Sequence, residues 1–536
     1  MSHSSKIFNK VPVKVQNRSG FDMSHENLFT AKVGYLIPAS VEEVMPGDII
    51  SVGSAFSVEL PPLATNFKGR VDARLEAFFV PMREVWGGWQ NFITADANTK
   101  AVPPAGQQTP LDTIPKVTLN QLRTGAGTLS DYLGIKGTGD GLEVSGDYNA
   151  LPFAAYWKIW DDWYRDSNLQ KPFFNIGGAT SQYLNAVNLP HINKTGVLSA
   201  ATTNVDTNSN LRGNNGKYMY QMASRNFAKD YFTTMTAQPQ AGAAANLEFQ
   251  IDTQGETGAF SIASLRAANS LQKWLERNNI AGSRYYEQIL AHYGVMPPDA
   301  FVDRAILLGA TTAPVIVNSV AQQAQVTNEQ SKNPYGNSTG AMFGKGNSFG
   351  KGRLIDRFEV KEHGYVIIMF SLVPHAYYST GTRRYLTQRD TSDTFAFPEF
   401  ANIGDQAVKK SELNSSVYGS NNDSTIGYVQ RYAEYKYHDD EVHGLLSDGQ
   451  SLDSFVLQRG FDTGVTLGSD LVTIPTDYMD NVMVTTEGVS GFNAVVDCYF
   501  DAKYLRVLPE YSLPSLCTGD ETEGKQVYVD KGGRRL

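Results

Sequence analysis

Val71-Asp-Ala-Arg-Leu-Glu-Ala-Phe-Phe79 alternates with period two: Val71, Ala73, Leu75, Ala77 and Phe79 share one face, and Asp72, Arg74 and Glu76 begin the other. Successive side chains of a strand point to opposite sides, so this pattern predicts a strand with one buried face. Three further runs read the same way. Val52, Phe56, Val58 and Leu60 belong to a run that ends at Pro61-Pro62. Tyr365 to Val373 is a continuous apolar strand closed by Pro374. Phe492, Ala494, Val496, Cys498 and Phe500 alternate with Asn493, Asp497 and Asp501. Strands near both ends of the chain must pair through long connections, the pattern of an antiparallel sandwich with insertions rather than of a βαβ sheet.

The insertions are expected to hold short helices. In Leu151–Gln170 (LPFAAYWKIWDDWYRDSNLQ), Phe153, Tyr156, Trp157, Trp160 and Trp163/Tyr164 recur at three- and four-residue steps and fall on one helical face. Ser261 can cap a helix to about residue 277, and Ser283 another to about residue 293. Stretches rich in Gly, Asn, Thr and Ser at 97–148, 194–217, 236–258 and 322–353 are longer than the loops of compact domains. The 536 residues would by length suggest several domains, yet no Pro- or Ser-rich spacer divides them. The expected organisation is an N-terminal basic arm (1–30), one β-sandwich domain (31–516) with large insertions at about 90–360, and a C-terminal basic tail (517–536).

The net charge of −9 does not suit a chain whose main task is neutralising nucleic acid. The charge is uneven, however. Residues 1–18 carry Lys6, Lys10, Lys14 and Arg18 with no acid, and the last thirteen residues carry Lys525, Lys531, Arg534 and Arg535 against Asp530. Two cysteines, Cys498 and Cys517, exclude a disulfide framework and a cysteine-rich metal site, and fit a reducing compartment. The N-terminus has no apolar signal region, and the longest apolar run is too short to span a bilayer, so a soluble protein without membrane insertion, made in a cytoplasm, is expected.

Patterns that would carry catalysis are sparse. Gly344-Lys-Gly-Asn-Ser-Phe-Gly-Lys-Gly-Arg353 resembles a phosphate loop but has the wrong spacing, and Gly352 stands where Ser or Thr is needed. Two readings remain: a solvated glycine-rich loop, or a loop whose Lys345, Lys351 and Arg353 follow a DNA backbone. His438-Asp-Asp-Glu-Val-His443 does not place its histidines on one face, so zinc is disfavoured. A turn there could hold calcium on Asp439, Asp440 and Glu441, or be a solvated acidic turn. Asp161 and Asp162 sit on the polar side of the aromatic helix and diverge, so they do not form an acid/base pair. Neither a nucleophile elbow nor a zinc-protease motif is present. Trp86, Trp89, Trp157, Trp160 and Trp163 are candidates either for the core or for contacts between subunits. No cofactor and no enzymatic activity is expected.

Short blocks in a fixed order carry a resemblance. They include Asn17-Arg-Ser-Gly-Phe-Asp22, Gly34-Tyr-Leu-Ile-Pro38, Glu43-Val-Met-Pro-Gly-Asp48, Phe78-Phe-Val-Pro81 through Trp89, and the Leu151–Gln170 helix. Asp230-Tyr-Phe-Thr-Thr234, His292-Tyr-Gly-Val295, Glu362-His-Gly364, Gln430-Arg-Tyr-Ala-Glu-Tyr435 and Arg506-Val-Leu-Pro509 continue the order. Over residues 17–516 the chain resembles the VP1/F-type major capsid proteins of the Microviridae, the small icosahedral single-stranded DNA phages, and most of all the gokushoviruses.

That resemblance implies a mainly β fold, the viral eight-stranded antiparallel jelly-roll sandwich. It implies a virion protein that self-assembles through pentamers into a T=1 shell around circular single-stranded DNA. The implied partners are further copies of the chain, the DNA genome, a small basic DNA-binding protein, an internal scaffolding protein, a pilot or minor virion protein and a host receptor met by exposed loops. Lys6, Lys10, Lys14, Arg18, Lys345, Lys351, Arg353, Arg534 and Arg535 are the candidates for facing DNA. Where gokushoviruses carry a long insertion that builds a threefold protrusion, only residues 243–260 stand here. A small or absent protrusion is expected, or one moved to another loop such as 174–217. The competing readings are a jelly-roll lectin module with aromatic loops on sugars, and a sandwich-fold glycan hydrolase, for which no convergent carboxylate pair is visible.

Overall fold

The computed structural model describes residues 18–61, 63, 65–86, 89–94, 114, 116–119, 127–135, 146–174, 197–198, 215, 217–242, 262–282, 284–321, 342–483 and 492–510. Ten strands form the framework: β1 (Ser19–Asp22), β2 (His25–Ala31), β3 (Ile37–Val44), β4 (Ile49–Glu59), β5 (Val71–Pro81), β6 (Ile306–Pro314), β7 (Ile316–Ala321), β8 (Met342–Glu359), β9 (Gly364–Pro374) and β10 (Ala494–Arg506). Two antiparallel sheets result. One runs β2–β10–β4–β8, with β1 also pairing β10, end to end with β2, and β7 pairing the outer edge of β8. The other runs β3–β9–β5–β6. Of the eight principal strands, consecutive ones lie in opposite sheets except β5 and β6, which are neighbours in the same sheet. This order is that of the eight-stranded jelly roll.

The hydropathy pattern follows the layers. β4 and β10 alternate strictly: Ile50, Val52, Phe56 and Val58, with Val496, Cys498, Phe500 and Tyr504, face inward, while the other side of their sheet is open. The continuous apolar run becomes β9, which is buried at every position. It runs centrally between β3 and β5, and the insertion covers the outer side of its sheet. β5 departs from the one-buried-face expectation. Its second face carries Asp72, fully buried, and Glu76, which pairs with Arg225 at 2.6 Å, because the insertion also packs there.

That cover is the aromatic helix α1 (Leu151–Ile159), continued by a π-turn at Trp160–Tyr164 in which the Arg165 amide donates to the Trp160 carbonyl at 2.9 Å. The Trp163 ring lies 5.7 Å from Phe78, and the Tyr164 hydroxyl donates to Glu76 at 2.6 Å. The extra residue of a π-turn rotates the side chains beyond it relative to their directions in an uninterrupted α-helix. Two more helices lie in the same insertion, α2 (Ile262–Ala281) and α3 (Tyr285–Tyr293). The residue before α3 is Arg284 rather than Ser283: its amide donates to Glu287 at 3.0 Å, and Gly294, at φ 66°, ends the helix.

The insertion bounds need correction. The expected interval of about 90–360 includes three framework strands, β6 to β8. The connections that carry the extra mass are β5 to β6 and β9 to β10. Between them lies a smaller apolar core, in which Tyr231 and Phe232 of the first connection pack with Tyr378, Val408, Leu413 and Leu471 of the second, beside the short strand pair Gln406–Lys409 and Thr425–Val429.

Candidate interaction surfaces

Residues 344–353, expected as a glycine-rich loop, lie in β8 instead. The composition that suggested a loop has a steric cause. Gly346, Gly350 and Gly352 face inward, where an added Cβ would come within 2.4 Å of Leu60, 2.3 Å of the Phe56 ring and 2.5 Å of Thr311. Phe56 and Leu60 from the neighbouring β4 side of the same sheet, and Thr311 of β6 from the opposite sheet, leave no room for side chains there on β8. The period-two alternation of Gly346, Ser348, Gly350 and Gly352 with Lys345, Asn347, Phe349 and Lys351 was the available signal, disguised because its inner members are small rather than apolar. The β8 backbone is committed to the sheet, so it forms no phosphate cradle.

Lys345, Lys351 and Arg353 therefore share the open face of this sheet, with Phe349 between them. Phe349, Lys351 and Arg353 lie opposite Ser57, Ala55 and Gly53 of β4, which lie opposite Asp497, Tyr499 and Asp501 of β10. A column of small residues thus runs between a basic bank and an acidic, aromatic one. Arg353 pairs with Asp356 at 2.8 Å and donates to Ser51 at 3.2 Å. Arg18 pairs with Glu359, at the end of β8, at 3.3 Å. Lys6, Lys10, Lys14, Arg534 and Arg535 lie outside the described residues.

The tryptophans resolve toward packing within the subunit. Trp157 is fully buried, stacks on Phe173 at 4.1 Å and donates its indole N–H to the Met219 carbonyl at 2.9 Å. Trp160 donates to Ser224 at 2.9 Å and Trp163 to Ala305 at 2.7 Å. The Arg304 guanidinium sits 3.6 Å over the Trp163 ring. Trp89 is buried against Phe92 and His363, and Trp86 is half-buried on Phe92.

Asp161 and Asp162 diverge as expected, but Asp161 is not on a solvated side. Its carboxylate accepts the amides of Phe173 at 2.8 Å and Phe174 at 3.1 Å. Burial pushes its pKa up to about 6 against those hydrogen bonds. Asp162 pairs with Lys158 at 2.8 Å and accepts the Ala305 amide at 2.9 Å.

Asp439, Asp440 and Glu441 are not gathered around one point, and among the described residues no group of three His, Cys, Asp or Glu is set to hold a metal. Glu441 is engaged by Arg383 at 2.7 Å and His443 at 3.2 Å. Burial, with the charges of Asp230 and Glu441, pushes Asp439 up to about 7. The segment instead lines a cavity of about 590 Å³ with Arg383, Arg384, Arg389, Tyr435 and Tyr437. The further pairs Arg384–Glu412, at 3.0 Å, and Arg389–Glu434, at 2.7 Å, had no local sequence signal, since their members are brought together from distant segments.

Viral capsid subunits, lectins and cupins share the jelly roll, and here it carries two large insertions, with no group of three His, Cys, Asp or Glu set to hold a metal among the described residues. The sequence decides between these classes. Residues 9–516 match the phage capsid protein (F protein) family, and the chain belongs to that family. The chain is 26% identical to the capsid protein VP1 of Chlamydia phage 1, covering 95% of this chain and 97% of that protein. It is 27% identical to the capsid protein VP1 of Bdellovibrio phage phiMH2K, covering 96% and 98%. With the capsid protein VP1 of Spiroplasma virus 4 the figures are 25%, 93% and 95%. It is thus a structural protein of the Microviridae type, as the ordered sequence blocks implied, and the lectin reading finds no support.

Proposed function

We propose that copies of this chain close a T=1 icosahedral shell around circular single-stranded DNA. Near full-length similarity to VP1 capsid proteins is the observation that carries the reading. A shell built from one kind of subunit needs different contacts at its fivefold, threefold and twofold axes. Long insertions on a compact sandwich supply surfaces for them. The net charge of −9 leaves most of the DNA charge to other components. A small basic DNA-binding protein is the partner that would supply it. An internal scaffolding protein, a pilot protein and a host receptor complete the set. Lys345 and Lys351, on the open sheet face, and the basic termini are the chain's own candidates for touching DNA.

Electron microscopy with light scattering on the expressed protein tests this. Uniform closed shells are the expected result. Pentamers that close only with a co-expressed partner would keep the reading and assign assembly control to that partner. A monomer that stays monomeric with every partner would overturn it.

A further inference from the structure

The helices α2 and α3 present no buried side chain among the described residues, although α2 is twenty residues long. Surface helices of globular proteins ordinarily bury an apolar stripe. This pair is held in place by polar contacts instead. The Ala241 amide donates to the Leu275 carbonyl at 3.2 Å, and Asn279 donates to the Gln238 carbonyl at 2.7 Å. The Arg284 guanidinium donates to the carbonyls of Asp161 at 2.6 Å and Arg165 at 2.7 Å.

Its apolar side chains are left outside. Trp274 is 51% exposed, Tyr285 70%, Tyr293 79% and Phe301, just beyond α3, 83%. At roughly 150–250 Å² per aromatic side chain, these four expose on the order of 600 Å². Leu271 and Met296, also exposed, bring the surface toward the ~800 Å² that one partner contributes to a standard interface. Isolated soluble subunits seldom leave so large an apolar surface uncovered.

The charge on α2 indicates what covers it. Arg266, Lys273 and Arg277 face a single acid, Glu276, along the helix. A second exposed apolar surface on the same chain has the opposite balance. Residues 385–405 present Leu386, Phe395, Phe397 and Ile403 to solvent with the acids Asp390 and Glu399, while Arg389 is engaged by Glu434 at 2.7 Å and Gly404 and Asp405 lie beside Glu276 of α2 in the same subunit. Two different patches of one chain that complement each other in charge and are both apolar suit a heterologous contact between copies, the type that closes into rings.

We propose that the α2–α3 face of one subunit docks on the 385–405 surface of a second copy of this chain. The inference rests on the shell-forming reading and adds to it the surfaces that meet.

Two experiments on assembled particles of the full chain test it. Lys273→Cys and Phe397→Cys are made separately in a Cys517→Ser background, carry different tags, and are co-assembled and oxidised. A disulfide between the two differently tagged chains is expected. Its absence from intact particles, or a 273–273 disulfide instead, overturns the contact. In the second experiment Tyr293→Asp is combined with Phe301→Asp. The subunit is expected to keep its circular dichroism and melting temperature, because the two side chains are 79% and 83% exposed, while particle yield falls at least tenfold. Normal particle yield from this variant overturns the contact. Failure of the unsubstituted chain to form particles with any partner is a separate result, which overturns the shell-forming reading and the contact with it.

Discussion

Glu84, just after β5, has both carboxylate oxygens buried without a hydrogen-bond partner, and burial pushes its pKa up to about 8. Between its unfolded value near 4.5 and this folded value, the native state holds a proton that the unfolded chain has lost. Stability from this group is therefore complete at low pH and is lost as pH rises through that window. Glu84→Gln, which mimics the protonated acid, is expected to raise subunit stability by on the order of 1–3 kcal/mol at pH 8, with little effect near pH 4. Urea titrations at the two pH values check this, and an equal gain at both would contradict it. The buried pair of Glu76 and Arg225 behaves in the opposite way. Burial acts to raise the Glu76 carboxyl, but the Arg225 charge and hydrogen bond hold it below its ordinary value. Arg225 also donates to Ser371 at 2.7 Å, so it ties the insertion to both β5 and β9. Arg225→Met alone should cost about 3–5 kcal/mol by leaving Glu76 uncompensated, and adding Glu76→Gln should recover part of that loss. A double-mutant cycle in urea measures the recovery.

At the scale of elements, β8 shows how one strand serves a core and an open face together. Its inner side is small because Phe56, Leu60 and Thr311 occupy the space. Gly350→Ala would drive a methyl group into the Phe56 ring and should destabilise the subunit by about 1–3 kcal/mol. Phe349→Ala, one residue away on the open face, should stay within about 0.5 kcal/mol. Chemical denaturation of the two variants separates these outcomes, and a costly Phe349→Ala beside a silent Gly350→Ala would invert the assigned faces. The strands read from the sequence were those whose inner residues are large and apolar: β4, β5, β9 and β10. β8 was read as a loop because glycine signals turns more often than a tightly covered strand. The one apolar face expected of the aromatic helix gives way to burial nearly all round, with only Pro152 and Lys158 partly exposed in α1. The π-turn that turns Asp161 inward depends on packing against Phe173 and Phe174, which local spacing does not encode.

For the whole molecule, the insertions are expected to differ in what assembly asks of them. Deletion of 245–256, which lies outside the described residues, should leave particle formation intact. Loss of particles in electron micrographs of that variant would make the segment an assembly contact. A β-sandwich with long insertions is legible in the residues alone, and so, through the ordered blocks, is the family. Both are written in local information: alternation along single strands and short motifs in series. The strand order, the burial of both faces of β5, the inward place of the glycines in β8 and the pairing of Arg384 and Arg389 with Glu412 and Glu434 emerge from the fold as a whole. Each of these depends on which segments meet across tens to hundreds of residues. A side chain's burial and charge partner are set by what packs against it, and that neighbour is absent from its own stretch of sequence.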